Sequence, residues 1–187
     1  VEQTTSSFLP NLAAANALKK MNIRLPEIEK KLPDIVANGL SKLYGYQNKD
    51  GAWGWWGDSQ KDVFMTAYVL YALTLTKQLG YSVREDVYEK GIDALVSNLE
   101  YAKNDSELIY ALFVLSLNGK NYPSILDKLK DKRALNDYEL ALMTLIYYQN
   151  QDLEEARGMA DMLENRHQSG NNGIFWGKYR SEQWFLD

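Results

Sequence analysis

The sequence predicts an all-α fold of stacked antiparallel helical hairpins. Apolar residues recur at helical spacing along most of the 187 residues, and Gly, Pro, Asn, Asp, Ser and Thr interrupt them about once per helix length. No stretch alternates apolar and polar residues between turn signals for more than a few positions, so strands have almost no support. Helices joined by short connections are antiparallel neighbours.

The elements follow in order. Thr4, Thr5, Ser6 and Ser7 supply candidate N-caps before Leu9, Leu12, Ala13 and Leu18, which predicts a helix from Ser6 to Lys20. Pro26 suits a helix start and is followed by Leu32, Ile35, Val36, Leu40 and Leu43, giving a second helix that ends near Tyr44 and Gly45. Pro33 inside it predicts either a kink or a true start at Leu32. An irregular Trp- and Gly-rich loop then runs from Tyr46 to Asp62.

Helical spacing returns over 63–79, 83–99, 106–117, 123–129, 136–148 and 153–167. Gly80 and Gly119 stand where C-caps belong, and Asp105, Asn136 and Asp152 where N-caps belong. A second aromatic–glycine loop closes the sequence: Asn172-Gly173-Ile174-Phe175-Trp176-Gly177 echoes Asp50-Gly51-Ala52-Trp53-Gly54. The echo points to a repeated array of hairpins.

Composition narrows the function. A chain that is 45% hydrophobic and 12% aromatic has material for a buried core. Its 21 Lys and Arg against 25 Asp and Glu give a net charge of −4 with no basic stripe, which argues against nucleic acid as a partner. No run approaches the roughly 18–20 apolar residues that cross a bilayer, so no membrane contact is expected of this segment. There is no cysteine, and His167 is the sole histidine, so thiolate chemistry, metal sites built on His or Cys, and Ser-His-Asp triads lack their residues. No cofactor is expected.

Two groups of residues could carry chemistry. Trp53, Trp55 and Trp56 either form a stacking platform for a ligand or wedge between hairpins, fixing the turn with Gly51, Gly54 and Gly57; wedging is the simpler reading. Asp50, Asp58 and Asp62 either bind a cation, act as catalytic carboxylates or serve as solvated turn and cap residues, and the last needs fewest assumptions. Tyr44, Tyr46, Tyr68, Tyr71, Tyr147 and Tyr148 read mostly as core aromatics whose hydroxyls find partners.

Val1-Glu2-Gln3, followed by TTSSFLPNL, resembles the Gly-Cys-x-Glu-Gln motif and the Thr/Ser-rich and Leu-Pro residues after it in bacterial α2-macroglobulin-like proteins. The chain begins directly after the place of that cysteine. The likeness continues through Asp50-Gly51-Ala52-Trp53-Gly54-Trp55-Trp56, then Thr66-Ala67-Tyr68-Val69-Leu70 and Gly80-Tyr81, and covers essentially the whole chain.

The resemblance implies an α/α-toroid, present as a partial ring, with residues 1–187 forming a single partial thioester domain truncated at both ends. It implies a parent that traps proteases and tethers them through an internal Cys-Gln thioester, with Gln3 as acyl donor and Glu2 orienting the ring or meeting the helix dipole. Such a protein is an inhibitor and not an enzyme, and the chain without its cysteine is inert. The region 101–119, where some relatives carry an acyl-accepting histidine, has none, which implies direct attack by Lys amines. His167 reads instead as a helix-end residue. Target proteases and the remaining domains of the parent are the implied partners, the periplasm or cell envelope the implied place, with lipid anchoring of the parent.

Two rivals stand beside it. One is a binding module using the Trp loops, Trp176 included, to hold a glycan or a partner protein. The other is an enzyme on the same scaffold, terpene-cyclase-like or polysaccharide-active, because Gln47 to Trp53 resembles the QW turns of terpene cyclases. The cyclase reading lacks its Asp-rich motif, since no Asp-Asp pair occurs. An incomplete array of hairpins also predicts dimerisation or aggregation.

Overall fold

The computed structural model describes residues 1–56, 61–132, 134–170 and 173–177. Their architecture is all-α, as the spacing predicts. Helices α1 (Glu2–Lys20), α2 (Pro26–Gly45), α3 (Val63–Gln78), α4 (Glu85–Ser97) and α5 (Asp105–Ser116) belong to one compact unit, Val1–Asn121. Helices α6 (Pro123–Lys132), α7 (Asp137–Gln149) and α8 (Leu153–Glu164) and a short hairpin, β1 (Gln168–Gly170) with β2 (Gly173–Phe175), belong to a second, Tyr122–Asp187.

In the first unit α3 is the central helix. It packs on α1, α2, α4 and α5 and buries Val63, Met65, Ala67, Val69, Leu70, Ala72, Leu73 and Leu75, with Thr66, Thr74 and Thr76 among them. A helix apolar all round survives only when surrounded, and the threonines fit because each hydroxyl has a partner. Thr74 and Thr76 bond back to Leu70 and Ala72 carbonyls at 2.8 Å, while Thr66 reaches the Trp53 carbonyl at 3.1 Å. Helix α5 is likewise buried from Ile109 to Ser116, whereas α4 is amphipathic and turns Val87, Tyr88, Ile92 and Leu95 inward. In the second unit α7 and α8 form a tight hairpin around Leu140, Met143, Ile146, Ala156 and Met159.

Several boundaries differ from expectation. Helix α1 begins at Glu2, four residues before Ser6, with Val1 as N-cap and no side-chain cap bond. The hydroxyls read as caps bond back along the helix instead: Thr5 to the Val1 carbonyl at 3.1 Å, Ser7 to the Thr4 carbonyl at 3.0 Å and Ser6 to Glu2. Ser and Thr have both options, and the earlier start leaves only this one. Helix α2 runs unbroken through Pro33, so a start at Leu32 is excluded, and Pro26 seeds the helix.

Asn136 and Asp152 cap α7 and α8 as expected, Asn136 through a capping box with Glu139, whereas Asn104 takes the place expected of Asp105. Gly80 and Gly119 close α3 and α5 with positive φ, and the amides after them, Tyr81 and Lys120, return to Thr76 and Leu115 carbonyls. Helix α8 stops at Glu164 rather than His167, and His167 Nδ1 donates to the Glu164 carbonyl at 2.5 Å. The second aromatic loop contains a hairpin that sequence patterning missed, pairing Gln168 with Phe175 and Gly170 with Gly173. Three-residue strands are too short to show alternation.

Candidate functional site

The first unit brings the start of α1, the 46–62 loop and the starts of α3 and α5 together. Gln3 lies in the first turn of α1 with its side chain exposed, and Glu2 beside it is half-buried. Glu2 Oε1 accepts a 2.7 Å hydrogen bond from Ser6 Oγ, which lies 3.2 Å from Tyr68 Oη on α3. The backbone nitrogen of Val1 donates to the Trp55 carbonyl at 3.4 Å, so the loop reaches the same turn.

An aromatic ladder borders this turn. Trp55 stacks on Phe64 at 6.2 Å, Phe64 on Tyr68 at 5.7 Å, and Phe64 meets Tyr110 of α5 at 5.6 Å. Tyr71 and Phe113 extend it down α3 and α5. Such pairs add about 0.5–1.5 kcal/mol each beyond the area they bury, so the ladder stabilises the packing of the loop and α5 on α3.

The three loop tryptophans do different things. Trp53 is fully buried: its indole N–H donates to the Leu43 carbonyl at 2.8 Å, its amide to Thr66 Oγ1 at 3.0 Å, and its ring lies against Gly91 of α4. It ties the end of α2 to α3 and α4, and no ligand can stack on it. Trp55 is 43% exposed and Trp56 is 77% exposed. Gln47 completes the loop, donating to the Gly51 carbonyl at 3.0 Å and the Val87 carbonyl at 2.7 Å, so the cyclase-like Gln-to-Trp spacing serves here to fasten the loop to α4.

The loop carboxylates are likewise occupied. Asp50 accepts from the Ala52 amide at 3.3 Å and stands 4.0 Å from Lys61. Asp62 is buried and caps α3, accepting from Met65 N at 2.9 Å, from Trp55 Nε1 at 3.1 Å and from Lys103. Burial pushes its carboxyl up, but the bonds from Lys103, the Met65 amide and the Trp55 indole outweigh it and hold the group below the ordinary carboxylate value. Asp58 and Gly57 lie outside the described residues. Among the described residues no cluster of three His, Cys, Asp or Glu suited to a metal occurs.

Sequence reasoning missed Glu107. Its buried carboxylate accepts from the Phe64 amide at 3.1 Å and the Lys103 amide at 3.2 Å, joining α5 to the start of α3 within the region lacking histidine. A Glu in the first turn of a helix reads as ordinary dipole chemistry, and only tertiary contact shows its reach. The tyrosines also depart from expectation: of the six, only Tyr147 is buried, Tyr44, Tyr46, Tyr68 and Tyr71 are half-buried, and Tyr148 is 58% exposed. The buried Tyr147 hydroxyl has no hydrogen-bond partner among the described residues.

In the second loop Trp176 is 42% exposed and donates its indole N–H to the Leu163 carbonyl at 2.6 Å. It thus repeats, on α8, the bond Trp53 makes to the end of α2.

The family model described as the A-macroglobulin TED domain matches residues 1–100, more than half of the chain. The chain belongs to this family. The α2-macroglobulin of Thermotoga maritima is 40% identical over 122 residues, covering 65% of this chain and 7% of that protein. Native α2-macroglobulin from Escherichia coli, from its domain MG7 to its C-terminus, superposes with a TM-score of 0.68 at 24% identity, over 91% of this chain and 29% of that one. The trypsin-activated E. coli protein superposes with a TM-score of 0.69 at 23% identity, over 88% of this chain and 12% of that one. The fold of this A-macroglobulin TED domain is therefore all-α and of the α/α-toroid class. The chain spans under a tenth of the length of the curated relatives it matches.

Proposed function

We propose that this TED domain is the acyl-donating part of a protease-trapping protein, with Gln3 supplying the acyl group of a thioester to a cysteine directly upstream of Val1. One observation carries the reading: in a chain that the TED family model matches from its first residue, Gln3 is presented, exposed, in the first turn of α1, whose Val1 and Glu2 reach the Trp55 carbonyl and, through Ser6, Tyr68. A thioester carbonyl lacks amide resonance and so acylates an amine readily. Residues 1–187 form a single, partial domain of the parent. Once a protease cuts the parent, the thioester is exposed and acylates a Lys amine of that protease. Bond cleavage belongs to the protease, so the parent is an inhibitor and not an enzyme, and it works in the periplasm or cell envelope, lipid-anchored.

The absence of histidine from 101–119 supports direct attack by amines. No helix among the described residues is long and apolar enough to cross a membrane.

Intact mass before and after methylamine tests the reading, on protein that includes the upstream cysteine. A thioester shows as a mass lower by one ammonia, then a gain of one methylamine with release of a free thiol. An unchanged mass with a thiol free from the start refutes it and favours a binding module presenting Trp56.

A further inference from the structure

Glu2, Ser6 and Tyr68 form a hydrogen-bonded chain from α1 to α3. Ser6 Oγ donates to Glu2 Oε1 at 2.7 Å, which commits its one proton, so Tyr68 is the donor in the 3.2 Å contact with Ser6. Both hydroxyl protons therefore point toward the carboxylate. Ser6 stands four residues after Glu2 and three after Gln3, and on a helix those spacings place it in the next turn beside both side chains.

The chain is anchored rather than incidental. Tyr68 is stacked on Phe64 with an interplanar angle of 17°, and Phe64 is held in turn between Trp55 and Tyr110. Glu2, the first residue of α1, turns its carboxylate to Ser6 one turn along. One carboxylate oxygen is thereby fixed. The other takes no hydrogen bond from any described residue, and the exposed Gln3 is the next residue along the helix.

We propose that Ser6 and Tyr68 are positioning residues for acyl transfer at Gln3: they hold Glu2 so that its open carboxylate oxygen takes the proton of the attacking amine. This rests on the thioester reading above. The amine lone pair forms a C–N bond to the side-chain carbonyl carbon of Gln3, and the bond from that carbon to the cysteine sulfur breaks, its electron pair leaving on sulfur. The proton lost by nitrogen passes to Glu2 and then to sulfur. The products are an amide and a thiol, and the carboxylate is regenerated. A bound amine is a competent nucleophile only once it can shed that proton, which is where a placed base accelerates attack.

The test uses protein that includes the upstream cysteine, as wild type and as Tyr68→Phe, Ser6→Ala, the double variant and Ser6→Thr. Thiol release by methylamine is compared with thioester exchange by 2-mercaptoethanol at alkaline pH, where the nucleophile is a thiolate with no proton to lose. The expected result is a loss of about 10- to 100-fold in the amine reaction for Tyr68→Phe and Ser6→Ala. Thiolate exchange stays at the wild-type rate, the double variant is no slower than the slower single, and Ser6→Thr recovers the rate. Tyr68→Phe keeps the ring in the aromatic ladder, so it decides the matter if Ser6→Ala does not form a thioester. Equal losses with amine and thiolate, or wild-type rates with both, overturn the positioning role. Failure of the wild type itself to show the ammonia deficit and methylamine gain overturns the thioester reading first, and the two failures are thus told apart.

Discussion

Gly51 and Gly80 offer a controlled measurement of how tightly the Trp loop is seated on α4. Both have left-handed backbones with nearly the same φ, 92° and 93°. An alanine at either position therefore meets a similar backbone penalty of about 1–2 kcal/mol, offset by a similar gain of about 0.4–1 kcal/mol from the stiffer unfolded chain. Only the surroundings differ. A Cβ on Gly80 meets nothing within 4 Å, whereas on Gly51 it stands 2.4 Å from the Lys90 carbonyl oxygen and 2.8 Å from Lys90 Cγ. The side-chain carbon can move aside, but the carbonyl belongs to α4 and is fixed by the helix. The loop and α4 must separate by roughly 0.6 Å for that contact to relax to 3.0 Å, against the two Gln47 bonds that clamp them. Overpacking of this kind costs about 1–3 kcal/mol. The expectation is that Gly51→Ala is less stable than Gly80→Ala by about that amount, which is a further fall of several degrees in Tm. Urea unfolding followed by tryptophan fluorescence and by far-UV circular dichroism measures both variants through the same unit. Equal losses would refute the close seating of Gly51 on α4.

Trp53→Phe keeps an aromatic ring but leaves the Leu43 carbonyl with only the Tyr46 amide at 3.3 Å, and loss of the indole bond is expected to cost about 0.5–1.5 kcal/mol in the same unfolding assay. Asp62 is held below its ordinary pKa, so its contribution is present above the unfolded-state value and is lost as pH falls through the lower folded one. Asp62→Asn should flatten the acid limb of a stability–pH curve below about pH 4, and an unchanged limb would remove Asp62 from the account. Lys103 is the first of the groups holding Asp62 down, so Lys103→Met is expected to remove part of that slope, while the Met65 amide and Trp55 indole keep the rest. Gly158 lies in α8, where an added Cβ meets nothing within 4 Å, and is expected to accept Ala with a gain of about 0.5–1 kcal/mol in thermal unfolding of the second unit.

The elements are legible in the sequence because their signals are local. Asn136 and Asp152 announce α7 and α8 by side chains that reach only three residues ahead, and Gly80 and Gly119 end α3 and α5 by their own φ. The start of α1 is not legible in the same way, because Thr4 to Ser7 satisfy a cap pattern and a back-bonding pattern equally well. Helix α5 beside α3, Glu107 reaching Phe64 over 43 residues, and Tyr68 meeting Ser6 over 62 depend on which helices are neighbours. Period and capping do not encode that. Glu2 and Gln3 are legible only through their resemblance to a motif.

The two aromatic–glycine loops separate what a repeated motif specifies from what its surroundings add. Trp53 and Trp176 each donate an indole N–H to a carbonyl near the end of the preceding helix, Leu43 in α2 and Leu163 in α8. Each of those carbonyls also accepts a backbone amide from just past its helix, Tyr46 at 3.3 Å and Arg166 at 3.0 Å, so the indole adds a second donor at a helix end. Burial is a separate matter. Trp53 is enclosed because Thr66 of α3 binds its amide and carbonyl and Gly91 of α4 leaves room for its ring, whereas Trp176 remains 42% exposed with the same indole bond made. The motif thus fixes where the chain turns, and the small residue on a neighbouring helix decides whether the tryptophan becomes core. Gly91→Ala tests that division: a Cβ there stands 2.7 Å from the Trp53 ring and 2.9 Å from Leu70, so the variant should loosen Trp53 despite alanine's better helix propensity. A red shift in native-state fluorescence is the expected sign, and an unshifted, more stable variant would mean that the indole bond alone keeps Trp53 buried.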